Sequence, residues 1–86
     1  MRIVFDPIKR QATLDERGLD MADAGKVFAT EKLTIIDNQK DYGETRHITV
    51  GYIDGRMVLA VWTQRGDARR IISLRKANER EQKAYS

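Results

Sequence analysis

The stretch from Arg46 to Arg75 constrains the fold more than any other part of the chain, because two turn signals cut it into strands of defined register. Asp54-Gly55 suits a two-residue type I′ hairpin loop, and Gly66-Asp67 suits a type II′ one. With loops of that length the cross-strand partners follow by counting, and partners share a face. One face then carries Ile48, Val50, Tyr52, Met57, Leu59, Val61, Ile72 and Leu74, and closes at its far end with Arg46, Thr63, Arg65 and Arg70. The other carries His47, Thr49, Gly51, Val58, Ala60, Trp62, Gln64, Arg69, Ile71, Ser73 and Arg75. The first reads as a core wall. The second is shallow at Gly51, Ala60 and Ser73 and is rimmed by cations and one indole, a shape suited to a nucleic-acid backbone.

The flanks read as α and β in turn. Residues 2–5 carry a short strand signal. Asp6 then serves as N-cap with Pro7 at the first helical position, and the helix runs to Glu16 or Arg17 and stops at Gly18. Asp20 caps a second helix with Met21, Ala24, Gly25 and Phe28 at helical spacing, and Gly25 is expected to let it lie close on the sheet. Leu33–Ile36 is a strand, and residues 37–44 are a polar loop expected to be mobile. Asn78-Glu79-Arg80-Glu81 matches a capping box that opens a short polar helix over 79–85, docked through Ala84 or Tyr85. The fold class is α+β: two N-terminal helices packed on the apolar face of an antiparallel sheet, with a short C-terminal helix. Residues 1–86 form a single domain.

Composition narrows the chemistry. The absence of cysteine and the single histidine exclude a disulfide framework and make a zinc site implausible. No apolar run approaches the ~20 residues that span a bilayer, so a cytoplasmic location is expected. The formal charge of +3 is uneven: residues 1–43 hold seven Lys/Arg against eight Asp/Glu, whereas residues 44–86 hold nine against five. The basic excess thus lies on the sheet and C-terminal helix, and ten of the sixteen basic residues are arginine, the better phosphate ligand. A polyanionic partner follows.

Several motifs run together along almost the whole chain: Phe5-Asp6-Pro7-x-Lys9, Arg17-Gly18-Leu19, Ala24-x-x-Val27-Phe28, Gly43-Glu44-x-Arg46-x-Ile48, Arg70-Ile71-Ile72-Ser73-x-Arg75-Lys76-Ala77, and Glu79-Arg80-Glu81 with Tyr85. In this order they resemble the BrnT family of toxins from bacterial type II toxin–antitoxin pairs. The resemblance implies a RelE-like fold, ribonuclease activity that blocks translation, and neutralisation by a BrnA-type antitoxin that carries a DNA-binding domain. No cofactor is expected. Thr13 and Glu16-Arg17 depart from the family, which usually has asparagine and a Lys-His pair there, and so put RNA holding by the first helix in question.

RNA cleavage without a metal needs a proton acceptor for the 2′-hydroxyl, positive donors for the charge gathering on phosphorus, and an acid for the leaving oxygen. Arg46, Arg65, Arg70 and Arg75 are the candidates for the donors; a salt-bridged sheet end is their structural alternative. Lys9, Trp62, Arg69 and Ser73 are the candidates for holding RNA, Trp62 by stacking a base. His47, Glu79 and Tyr85 are the candidates for proton transfer. With no obvious base among them, a module that grips nucleic acid or antitoxin without cutting remains the rival reading.

Overall fold

The structure, a computed structural model, describes residues 1–37 and 43–86. In chain order it consists of β1 (Arg2–Phe5), α1 (Pro7–Arg17), a 3-10 turn (Met21–Asp23), α2 (Ala24–Ala29), β2 (Leu33–Asp37), β3 (Arg46–Ile53), β4 (Arg56–Arg65), β5 (Ala68–Lys76) and α3 (Glu79–Tyr85). One five-stranded sheet has the order β1-β5-β4-β3-β2. It is mixed rather than antiparallel, because β1 pairs in parallel with β5, Arg2 beside Ala68 and Phe5 beside Ile71. The polar loop expected over 37–44 falls partly outside the described residues, and Asp37 itself belongs to β2.

Local signals decide the element ends. The Asp6 carboxylate accepts from the Ile8 amide at 2.9 Å, and Gly18 closes α1 at φ 67°. Asp54 and Gly55 both take positive φ, 51° and 82°, as a type I′ loop demands, and Gly66 at φ 59° takes the first central position of a type II′ loop. In α3 the Asn78 side chain accepts from the Glu81 amide while Glu81 accepts from the Asn78 amide, which closes the capping box.

The assignment of the faces is corrected. The 3-10 turn and α2 pack on the face predicted to be open. Leu19, Met21, Ala24 and Val27 meet Val58, Ala60, Trp62, Ile71 and Leu74 there in one buried cluster. The small residues that made this face look shallow are what admit a helix. A Cβ on Gly51 would stand 2.9 Å from the Val27 carbonyl carbon and 3.0 Å from Thr30 Oγ1, so the backbone of α2 sits directly on β3. The Tyr52 amide donates to Thr30 Oγ1 at 2.8 Å and fixes that approach. Gly25, expected to play this part, faces open space. Helix α1 buries none of its residues and rests beside β5 instead.

The second correction is a β-bulge. Trp62 pairs with Ile71 as counted, but Val61 pairs with Ser73, so Ile72 is an extra residue. Every later residue of β5 therefore changes face. Leu74, opposite Ala60, goes to the helix side and is fully buried. Ser73 and Arg75 go to the other side, where Arg75 stands opposite Leu59. That second face is half covered: Tyr85 of α3 packs on Val50, Met57, Leu59 and Ala77. Ala84 stays exposed and docks nothing. The remainder, around Ile48, Val61 and the arginines, is only partly buried.

Candidate functional site

The uncovered half of this second face gathers arginines from three neighbouring strands. Arg46 precedes His47, the partner of Trp62, and so lies beside Thr63, which pairs on its other side with Arg70. Thr63 is 2 % exposed, and its hydroxyl donates to the Thr45 carbonyl at 3.0 Å, which stiffens the row. Arg65, two residues on, donates to Glu44 at 3.1 Å. The Arg70 side chain makes no hydrogen bond or ion pair among the described residues. Its guanidinium, partly exposed, is the unclaimed charge in the row.

Arg75 lies five residues beyond Arg70 on the same strand, roughly 15 Å away. Its two terminal nitrogens each donate to Glu81 at 2.7 Å. This fork holds the Glu81 carboxyl down at about 2, with the Asn78 amide adding to the effect, and pushes Arg75 further toward its charged form. Tyr85 is close enough to Arg75 to act on it electrostatically. Arg75, Glu81 and Tyr85 are thus one cluster, and the bulge is what brings Arg75 into it.

The other candidates are scattered. Trp62 is 6 % exposed and no open stacking platform. Its Nε1 donates to Thr49 Oγ1 at 2.8 Å, and Thr49 is itself hydrogen-bonded to Thr34 at 2.8 Å. The His47 ring stacks on the indole at 4.4 Å, Phe28 meets it edge-on at 5.7 Å, and the Arg69 guanidinium lies over it at 4.1 Å. His47, Trp62 and Arg69 therefore occupy the helix side of the sheet, away from Arg46 and Arg70. Glu79 faces outward, 3.7 Å from Lys83. Lys9 and Ser73 line a groove of about 190 Å³ between α1 and β5, together with Thr13, Glu16, Arg17 and Ile72. A wider groove of about 800 Å³ lies at the opposite end of the sheet, among Tyr52, Arg56, Lys76 and α3.

Two residues do more than their sequence reading allowed. Arg17 donates to the Leu74 carbonyl at 2.7 Å and reaches Ser73 Oγ at 3.4 Å, tying α1 to the strand edge that β1 leaves uncovered. With Arg10, which grips Asp20 through two bonds of 2.7 and 2.9 Å, it anchors a helix that has no buried side chain. Glu81 was legible as a capping partner but not as the ligand of Arg75. Its place six residues downstream carries no signal of its own.

The site is thus the half-open sheet face of a small α+β protein, with arginines on three adjacent strands and one of them unclaimed. The chain belongs to the BrnT family: its residues 5–81 match the family described as the ribonuclease toxin, BrnT, of type II toxin–antitoxin systems. Membership implies an RNA target and an antitoxin partner. A search of curated proteins finds no match. Among the described residues, no helix is long and apolar enough to cross a membrane.

Proposed function

We propose that this protein is a metal-independent endoribonuclease of RelE-like architecture, which blocks translation in the cytoplasm and is neutralised by a BrnA-type antitoxin. The observation that carries the reading is the arginine row, with Arg70 unclaimed beside Thr63 on the open face. The scissile phosphate lies along this face. Arg70, with Arg46 and Arg65 flanking it, holds the two non-bridging oxygens and stabilises the charge that builds as the 2′-oxygen attacks phosphorus. The bond to the 5′-oxygen breaks, leaving a 2′,3′-cyclic phosphate and a 5′-hydroxyl. The 2′-hydroxyl proton passes to solvent water and a water protonates the departing 5′-oxygen; Arg75, roughly 15 Å along the strand with Glu81 and Tyr85, holds a phosphate farther along the RNA.

The rival, a module that grips RNA without cutting it, draws on one observation: His47 is on the other side of the sheet and Glu79 points outward. A single assay separates the two. Purified protein incubated with total RNA should cut it equally with and without EDTA and leave cyclic phosphate ends, and Arg70→Ala should cut about 10²–10³-fold more slowly while the fold persists. Bound but intact RNA supports the rival. Products with 5′-phosphate ends, or activity lost on chelation, refute the proposed chemistry.

A further inference from the structure

The two sides of the sheet end differently. On one side β1 pairs with the first half of β5, and Arg17 occupies a carbonyl of the second half. On the other side β2 pairs only with β3, and its outer edge meets no further strand among the described residues. An open edge is a row of unpaired amides and carbonyls that templates another strand, and proteins that leave one in water blunt it with lysine, proline or a bulge. Leu33-Thr34-Ile35-Ile36-Asp37 contains no lysine or proline and pairs with β3 in unbroken register. Instead it presents Ile35 at 43 % exposure and Ile36 at 60 %, one on each face.

The neighbours of these two isoleucines say what would lie against them. Ile36 stands opposite His47, whose ring is stacked on Trp62, and Ile35 stands opposite Ile48. The strand itself holds one acid and no base; the nearest basic residues are Lys32, just before it, and Arg46, the β3 partner of Asp37. Ile35 and Ile36 offer RNA no charge, whereas an extended polypeptide with apolar residues at successive positions satisfies both the ladder and the side chains. A second copy paired through this edge alone would bring together only two five-residue strands, well short of the roughly 1,200–2,000 Å² of a stable interface. A partner that continues beyond the strand has no such shortfall.

We infer that the free edge of β2 is the anchoring site of the antitoxin, which adds an extended segment there as a sixth strand with apolar residues against Ile35 and Ile36. This rests on the reading of the protein as a toxin held by an antitoxin. The test uses the purified toxin and its complex with the co-expressed antitoxin, compared by amide hydrogen exchange, and antitoxin affinity of the Ile36→Lys and Ile35→Lys variants. Both side chains lie largely in solvent, so the variants should fold and cleave RNA as the parent does. Exchange at residues 33–37 should slow in the complex, and each variant should weaken antitoxin binding by about tenfold or more, as hot-spot losses do. Unchanged exchange over β2 on antitoxin binding overturns the inference, as does full affinity in both folded variants. A toxin that is dimeric alone with β2 already protected overturns it too, by giving the edge to a second copy. The RNA assay is independent: β2 protection in a protein that cuts no RNA would refute the nuclease reading and leave the anchoring site standing.

Discussion

Arg69 and Arg70 are adjacent in the chain and meet opposite fates. Arg69 falls on the helix side, where its guanidinium lies 4.1 Å from the Trp62 ring centre and 4.6 Å from that of Phe28. Arg70 falls on the other side, beside Thr63, with no partner among the described residues. The helix side is closed by contact: α2 rests on the backbone at Gly51, and even a cation there is used as packing. The arginine side is closed by charge and only in part, with Glu44 holding Arg65 and Glu81 holding Arg75. A side built of packing resists competition from a ligand; a side built of ion pairs can exchange its carboxylates for phosphates.

The largest effect expected from this contrast is on stability. Trp62→Ala should cost about 3–5 kcal/mol, as for other buried aromatics, whereas Val61→Ala, one residue away on the half-open side, should cost well under half of that. Urea denaturation midpoints read the difference, and equal losses would mean the two sides are packed alike. Next comes Arg70→Ala, which should lower cleavage by about 10²–10³-fold, the usual loss of one transition-state donor. Arg69→Ala should leave cleavage near the parent level and cost only about 0.5–1 kcal/mol of stability through the lost ring contact. A cleavage defect in Arg69→Ala as deep as that of Arg70→Ala would erase the distinction between the faces.

Two glycines sharpen it further. Gly51→Ala forces α2 off the sheet and should destabilise by about 1–3 kcal/mol. Gly25→Ala meets open space and should stabilise by about 0.5–1 kcal/mol through helix propensity. An effect of similar size belongs to acid. Glu81 titrates at about 2 in the folded protein against an ordinary 4.5, so its contribution is complete above pH 4.5 and is lost as pH falls toward 2. For a partly exposed pair that contribution is on the order of 1 kcal/mol, or about 4–8 °C in melting temperature for a domain this size. Glu81→Gln should flatten the melting curve in this window without removing the fall due to Asp20, which is held at about 2 by Arg10. A curve unchanged by Glu81→Gln would mean that α3 does not depend on its ion pair.

What was legible in the sequence was local. The caps at Asp6 and Asn78, the loops at Asp54-Gly55 and Gly66-Asp67, and the register from His47 to Trp62 all depend on residues within a few positions of one another. The choice of face was not, because Val58, Ala60 and Trp62 offer a helix as much apolar surface as Met57, Leu59 and Val61. Smallness at Gly51 and Ala60 fits a ligand floor and a helix seat equally well until the helix is placed. The bulge was silent for another reason: Ile71, Ile72 and Ser73 include no glycine or proline to mark it. Since it sends Arg75 across the sheet, the surroundings of that arginine differ from those its position in the sequence leads one to expect.

The parallel pairing of β1 with β5 has a consequence in time. Arg2 finds its place beside Ala68, so β1 must wait for β5. Contacts so distant in sequence form late, after the loop between them has been closed at an entropic cost. The hairpins of β3, β4 and β5 close over loops of only two residues each. The three strands that carry the arginines thus pair with one another before β1 is locked in.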